Sequence, residues 1–252
     1  MLTIVVPTIG NMRHVDHFVV LAKSSLVLEI ILVCPMVKLE ELKAFFCSHY
    51  GCIPTKITII GSVVENQVAQ RALGFRTVIS EYACQLDDDY VVTEECLIHL
   101  FKEARENKSS LISPMFLDSH GHSNHRMKRW KIALIQLVKG GFDVTRGLEG
   151  GIVLRNIAVG IQEKSVPNSQ WLPGGCVLGH IDCFLKHDYF KFEGKAHYED
   201  VIFSRAARRN GVRLIWTNKC SVTELPASTT IIDESNESLK VFRYMVYREK
   251  LS

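Results

Sequence analysis

Short apolar runs alternate with longer amphipathic stretches through the first half of the chain. Leu2 to Val6 is apolar at nearly every position and reads as a buried strand, closed by Pro7 and the turn-forming Thr8-Ile9-Gly10-Asn11. A second run, Leu28 to Cys34, stops at Pro35, and a third, Lys56 to Ile60, stops at Gly61. Between them the pattern predicts one helix ending near Ser24 and another over roughly Lys38 to His49. Val68, Ala72, Phe75, Ile79 and Tyr82 recur at steps of three and four, which makes one apolar stripe on a third helix. A short strand, Ala83 to Leu86, follows it. Next come a helix from about Glu94 to Glu106 and a strand, Leu111 to Ser113, that Pro114 should end. Strands that are apolar throughout and separated by helices predict an α/β fold with a mostly parallel central sheet flanked by helices. Ligands of such sheets bind at the carboxyl ends of the strands.

The second half is less regular. Residues 118–128 form a polar, His-rich loop, and helices are expected from about Arg129 to Lys139 and from about Glu199 to Asn210, the latter stopped by Gly211. A strand, Val212 to Thr217, a linker over 227–235 and an amphipathic helix over 237–249 complete the pattern. One domain spans 1–252, with a nucleotide half over about 1–115, an acceptor half over 116–226 and the terminal helix over 227–252.

Composition changes this picture little. The chain has 252 residues, 47% hydrophobic and 23% charged, with a net charge of +3. So balanced a surface argues against nucleic acid as a partner, which usually demands a basic stripe. The eight Cys lack zinc-type spacing and several lie in apolar runs, so reduced, buried thiols in a cytoplasmic protein are expected. No apolar run approaches the ~18 residues of a membrane span. The expected location is the cytoplasm, with peripheral attachment to the inner face of a membrane as the alternative.

The candidate chemistry lies in three places. Asp87-Asp88-Asp89 follows a buried strand, where three adjacent anions call for a compensating cation. In an extended chain Asp87 and Asp89 would share a face. A hard ion such as Mn²⁺ or Mg²⁺ fits oxygen ligands and substrate phosphates; a solvated acidic turn ahead of the helix at Glu94 is the plainer alternative. Glu199-Asp200 opens a helix, where the dipole and free amides keep a carboxylate ionised. The pair is either a cap or, through Asp200, a proton acceptor. Trp171-Leu172-Pro173-Gly174-Gly175 is a tight turn whose aromatic face suits a sugar ring and whose glycines let backbone approach a ligand.

In order along the chain, these residues resemble the family 2 glycosyltransferases, which have the GT-A fold. Thr3 to Thr8 resembles that family's first strand and Pro-Thr, and Arg71-Ala72-Leu73-Gly74 its Arg-Asn-x-Gly helix motif. Ser80-Glu81-Tyr82 to Leu86-Asp87-Asp88-Asp89 is similar to its Gly-Glu-Tyr and Asp-x-Asp segments. Gly174-Gly175, Glu199-Asp200 and Ser204-Arg205 to Gly211 resemble its acceptor-side motifs. The resemblance implies an inverting glycosyltransferase that moves a sugar from a nucleotide-diphosphate donor to a hydroxyl of a glycan or lipid-linked acceptor. It places Pro7, Thr8, Arg71, Asp87 and Asp88 at the nucleotide, and Asp87 and Asp89 at a Mn²⁺ or Mg²⁺ ion. Asp200 becomes the catalytic base, with Trp171, Gly174, Gly175 and Glu199 toward the acceptor.

Two departures stand out. Cys34-Pro35-Met36 occupies the place where the family often carries an Asp for the nucleotide base, and Val222-Thr223-Glu224 stands where many members have a His. A nucleotidyltransferase, or a non-catalytic nucleotide-sugar-binding module of the same fold, are the competing readings. Asp118, His120, His122 and His125 could bind a transition metal, but their irregular spacing in a Gly/Ser/Asn loop favours a surface segment that acts as a lid over the acceptor, and Arg126, Lys128, Arg129 and Lys131 either meet phosphates or form a solvated basic face. The terminal helix would face the core, a second copy in a homodimer, or an anionic membrane.

Overall fold

The computed structural model describes residues 1–10, 15–121, 168–169, 171–186 and 199–225. The helices expected over 129–139 and 237–249, most of the His-rich loop and the 227–235 linker lie outside those residues. In chain order the elements are β1 (Leu2–Pro7), α1 (Val15–Ala22), β2 (Val27–Pro35), a 3₁₀ turn (Met36–Lys38), α2 (Leu39–Tyr50), β3 (Ile57–Ser62) and α3 (Gln67–Thr77). Then follow β4 (Tyr82–Leu86), β5 (Tyr90–Val92), α4 (Glu94–Glu106), β6 (Ser110–Leu117), β7 (Cys176–His180), α5 (Ile181–Leu185), α6 (Glu199–Arg209) and β8 (Arg213–Glu224).

The strands form one sheet of order β3-β2-β1-β4-β7-β6-β8-β5. From β3 to β4 all pairs are parallel. β7 runs antiparallel to both β4 and β6, β8 is parallel to β6, and β5 is antiparallel to β8. The sheet separates two apolar layers by simple alternation. Leu2, Ile4 and Val6 of β1, Ile30 and Leu32 of β2, and Cys84 and Leu86 of β4 share one layer with α1, α2 and α4 residues such as Phe18, Phe46 and Leu97. Val5, Ile31, Val33 and Ala83 enter the other, against Phe75 of α3 and Ala207 of α6. Side chains two apart on a strand share a face, which is why these runs looked uniformly apolar: both faces are covered.

Helix ends follow local chemistry. The Asn66 side chain accepts from the Ala69 amide at the start of α3, and Thr93 from the Cys96 amide at the start of α4. Gly211, at φ 78°, follows α6 in the left-handed region. α3 is shorter than its apolar stripe implies. Val78 is already extended, Ile79 is exposed, and Tyr82 opens β4 by pairing with Leu2. Strand pairing therefore overrides the helical spacing of the last two stripe positions. β6 also runs through Pro114 rather than stopping there, because the register with β8 shifts between Ser113 and Met115, where no ladder N–H is needed. β8 reaches Glu224, well past Thr217. All eight thiols are free; five are buried, while Cys47 and Cys52 are exposed, against the expectation of burial. Among the described residues no helix is long and apolar enough to cross a membrane.

Candidate active site

β4 carries the acidic triplet to the mouth of the sheet. Ala83 and Gln85 face the α3 layer, and Asp87 continues that parity toward α3. Extended geometry stops there. The Tyr90 amide donates to the Asp87 carbonyl at 3.2 Å, so the chain turns through Asp88 and Asp89. Asp87 and Asp89 thus do not share the face of one straight strand, and the three carboxylates fan out to different partners.

Asp87 meets Arg71 of α3. Both of its carboxylate oxygens accept from Arg71 Nη2, at 2.7 and 2.9 Å, and Gln67 also bonds the carboxylate. Arg71 Nη1 donates to Glu199 Oε1 at 3.2 Å, so one guanidinium joins the end of β4 to the first turn of α6. Arg71 is only 1% exposed. Asp88 accepts a 2.5 Å hydrogen bond from Thr8 Oγ1, and Gln70 Nε2 donates to the Thr8 carbonyl at 3.0 Å. Asp89 is fixed through its backbone, where its carbonyl accepts from the Leu225 amide. Its side chain feels Glu224, because β5 pairs Tyr90 with Glu224.

The crowding is visible in the proton affinities. Burial raises Asp88 to about 6 against the lowering by Thr8. Burial, then Asp87, Asp88 and Glu224, raise Asp89 to about 7. Asp200 is pushed up to about 8 by burial and by Glu199; the Val201 amide, which donates to its Oδ1 at 2.8 Å, and the Arg71 charge pull the other way. Burial also raises Asp87 above the ordinary carboxylate range despite Arg71.

The Gly-Gly turn is explained by packing. A Cβ on Gly174 would lie 3.2 Å from Arg71 Nη2, and one on Gly175 would lie 2.5 Å from the Tyr90 ring and 2.9 Å from Phe116. Gln85 Nε2 donates to the Gly174 carbonyl, and the Asp87 amide to that of Gly175. These glycines therefore let the turn close over the Arg71 network. Gly74 serves packing in the same way between α3 and β1, since a Cβ there would strike Val5 and hold the helix off the strand. Trp171 is 8% exposed, so little of its ring is open to a sugar, and the Ser169 hydroxyl donates to its carbonyl. A cavity of about 10 Å³, room for a single water at most, lies among Arg71, Gln85, Gly174, Glu199, Asp200 and Ser204. Pro7 ends β1 at the same edge, and Asp118 lies at some remove in the chain, accepting from the His120 amide.

Sequence reasoning missed Gln67, Gln70, Gln85 and Tyr90. The signal was present for three of them: Gln67 and Gln70 sit on the inner side of α3 beside Val68 and Arg71, where a stripe should be apolar. Gln85 is a polar residue inside a five-residue strand that is buried throughout.

A divalent cation can be tested against this arrangement. Among the described residues no group of three or more His, Cys, Asp or Glu side chains could hold a metal ion. Asp87 is engaged by Arg71. Asp89 and Glu224 repel each other, which is the charge pattern a hard cation relieves. Two carboxylates fit an ion that completes its shell with water and substrate phosphate.

Neither a known family's sequence profile nor any curated protein sequence matches the chain. Solved structures do match. Residues 1–349 of S. aureus TarS, in complex with UDP-GlcNAc, align with a TM-score of 0.65 at 13% identity, over 98% of this chain and 66% of that one. A second structure of TarS 1–349 gives 0.63 at 11%, covering 98% of this chain and 64% of that one. GalNAc-T7 with UDP, GalNAc and Mn²⁺ gives 0.65 at 13%, over 98% of this chain and 48% of that one. The chain has the GT-A fold. At such identities the likeness establishes architecture alone, and the chain spans about two thirds of TarS 1–349 and about half of GalNAc-T7. The GT-A assignment agrees with the fold expected from the sequence and gives the acidic mouth of the sheet its orientation, at the carboxyl ends of β1 and β4.

Proposed function

We propose that this chain is a glycosyltransferase that moves a sugar from a nucleoside diphosphate to a hydroxyl of a glycan or lipid-linked acceptor, with inversion at the anomeric carbon. The observation that carries the reading is that Asp87 and Glu199, the chain neighbours of Asp88-Asp89 and of Asp200 and over 100 positions apart in sequence, both hold the buried Arg71. The neighbours crystallised with UDP, UDP-GlcNAc or Mn²⁺ support a UDP-type donor.

Thr8, just past β1, and Asp88, which accepts its hydrogen bond from beyond the end of β4, are the contacts for the nucleotide. Asp89, with Glu224 in place of a histidine, would hold Mn²⁺ or Mg²⁺, and when bound that cation would stabilise the negative charge of the departing diphosphate. Asp200 accepts the proton of the acceptor hydroxyl as its oxygen attacks the anomeric carbon from the face opposite the diphosphate. A base with its proton affinity near neutrality is well matched to that transfer. Holding the two substrates in line removes much of the entropic barrier. Glu199, Gly174 and Gly175 shape the acceptor side by fixing the turn and the start of α6.

The test is release of UDP from UDP-sugars on addition of candidate glycans or lipid-linked acceptors. Transfer by the wild-type chain and its loss in a folded Asp200→Asn variant are expected. Binding of UDP-sugars with no turnover for any acceptor would instead favour a non-catalytic module, and pyrophosphate release from a nucleoside triphosphate a nucleotidyltransferase.

A further inference from the structure

Arg71 was expected at the nucleotide. Its surroundings give it another task. Nη2 is spent on both oxygens of Asp87 and Nη1 on Glu199, and the side chain is closed off from solvent. Gly174 lies so close that a single methyl there would press on both Nη atoms. The guanidinium is planar and offers donors in a fixed fork, so its two ends set the distance between the carboxylates they hold. One carboxylate ends the donor strand β4; the other begins α6, one residue before Asp200. A second tie runs alongside, since the Leu172 amide donates to Ser204 Oγ of α6 at 3.0 Å.

From this geometry we infer that Arg71 is a positioning residue: it locks the first turn of α6 to the end of β4, and so holds Asp200 at its working distance from the donor, without touching the nucleotide. The inference rests on the transferase reading for what Asp200 does, but not for where Arg71 holds it. A Lys at this position would keep the charge yet lose the fork, and could not grip Asp87 and Glu199 at fixed separation. With two half-buried carboxylates facing one guanidinium, loss of that cation alone leaves both without their partner.

The experiment compares wild type, Arg71→Lys, Arg71→Gln and Glu199→Ala by three readouts. These are turnover with a UDP-sugar, affinity for UDP by calorimetry, and amide hydrogen exchange in peptides covering α6 and, separately, β1 to β3. A displacement of about 1 Å at the base should lower kcat on the order of 100-fold, with UDP affinity little changed. Exchange should accelerate in the first turn of α6 and stay the same in β1 to β3. Arg71→Lys should recover some of the turnover lost in Arg71→Gln. Should Arg71→Gln fail to fold, Glu199→Ala removes the acceptor of the Nη1 bond and cuts the same tie while leaving the Asp87 pair intact, and it should show the same drop in kcat and the same faster exchange.

Loss confined to UDP affinity would overturn the inference and return Arg71 to the nucleotide. Unaltered exchange in α6 in the folded variants would overturn it too. If wild type shows no turnover with any acceptor, the transferase reading fails by itself, and the exchange data still decide whether Arg71 ties α6 to β4.

Discussion

On the β3-β2-β1-β4 side of the sheet every pair is parallel, the register is continuous apart from one slip at the start of β1, and both faces are sealed by helices. On the β7-β6-β8-β5 side, β7 and β5 run against their neighbours, and β6 slips against β8 at Pro114. The first side is a platform whose order comes from apolar alternation. The second brings together groups that alternation does not specify: the Gly175 carbonyl under the Asp87 amide, Tyr90 beside Glu224, and Glu199 reaching Arg71. The candidate site lies on the seam between the two, so its chemistry depends on the less regular side while its rigidity comes from the regular one.

Substitutions should separate these two contributions. The largest effect is expected at the seam. Asp200→Asn should lower turnover about 10²–10⁴-fold, the usual contribution of a positioned base, with thermal unfolding showing an intact fold. Near wild-type rate in a folded variant would remove Asp200 from the mechanism. On the platform, Ile30→Ala empties space in a fully buried layer and should cost about 2–5 kcal/mol in chemical denaturation. The fraction that stays folded should turn over normally. Gly175→Ala reverses that balance: its new methyl would meet the Tyr90 and Phe116 rings, costing about 1–3 kcal/mol. Turnover of its folded fraction should fall, because the turn carries the carbonyl that receives the Asp87 amide. Equal behaviour of the two variants would erase the distinction between platform and seam.

The last comparison is stability against pH, whose sign is fixed by the crowded carboxylates. Asp88, Asp89 and Asp200 bind protons more tightly folded than unfolded, with values raised from 3.8 to about 6, 7 and 8. The folded state therefore holds more protons between these limits. Stability of the ligand-free protein should fall as pH rises from about 4 to about 8 and level off above. Asp89→Asn should make that slope shallower. A midpoint that rises over the same range would contradict the burial of these groups.

The platform was legible because β1, β2 and β4 write it in consecutive apolar residues, and a period of two with both faces covered leaves a recognisable run. Legible too was the acidic triplet, since charge directly after such a run is conspicuous. What could not be read was pairing across long separations. Nothing near Cys176 to His180 says that this strand inserts antiparallel between β4 and β6, and nothing near Tyr90 names Glu224 as its partner. The apolar stripe through Tyr82 misled for the same reason: Tyr82 belongs to β4, and its partner Leu2 is 80 positions away. The bridge made by Arg71 was hidden because a motif gives a residue's neighbours in sequence, whereas its two carboxylates come from opposite halves of the chain. The shape of the Gly174-Gly175 turn was foreseen, but its cause, the closeness of Arg71, Tyr90 and Phe116, lies entirely in packing.

Calorimetric titration of UDP, with and without Mn²⁺, into wild type and Asp89→Asn tests most directly whether the gathered carboxylates form a nucleotide-sugar site. The account predicts saturable binding to wild type that strengthens sharply with Mn²⁺, and loss of that strengthening in Asp89→Asn. UDP binding indifferent to both the cation and the substitution, or no binding at all, would contradict it.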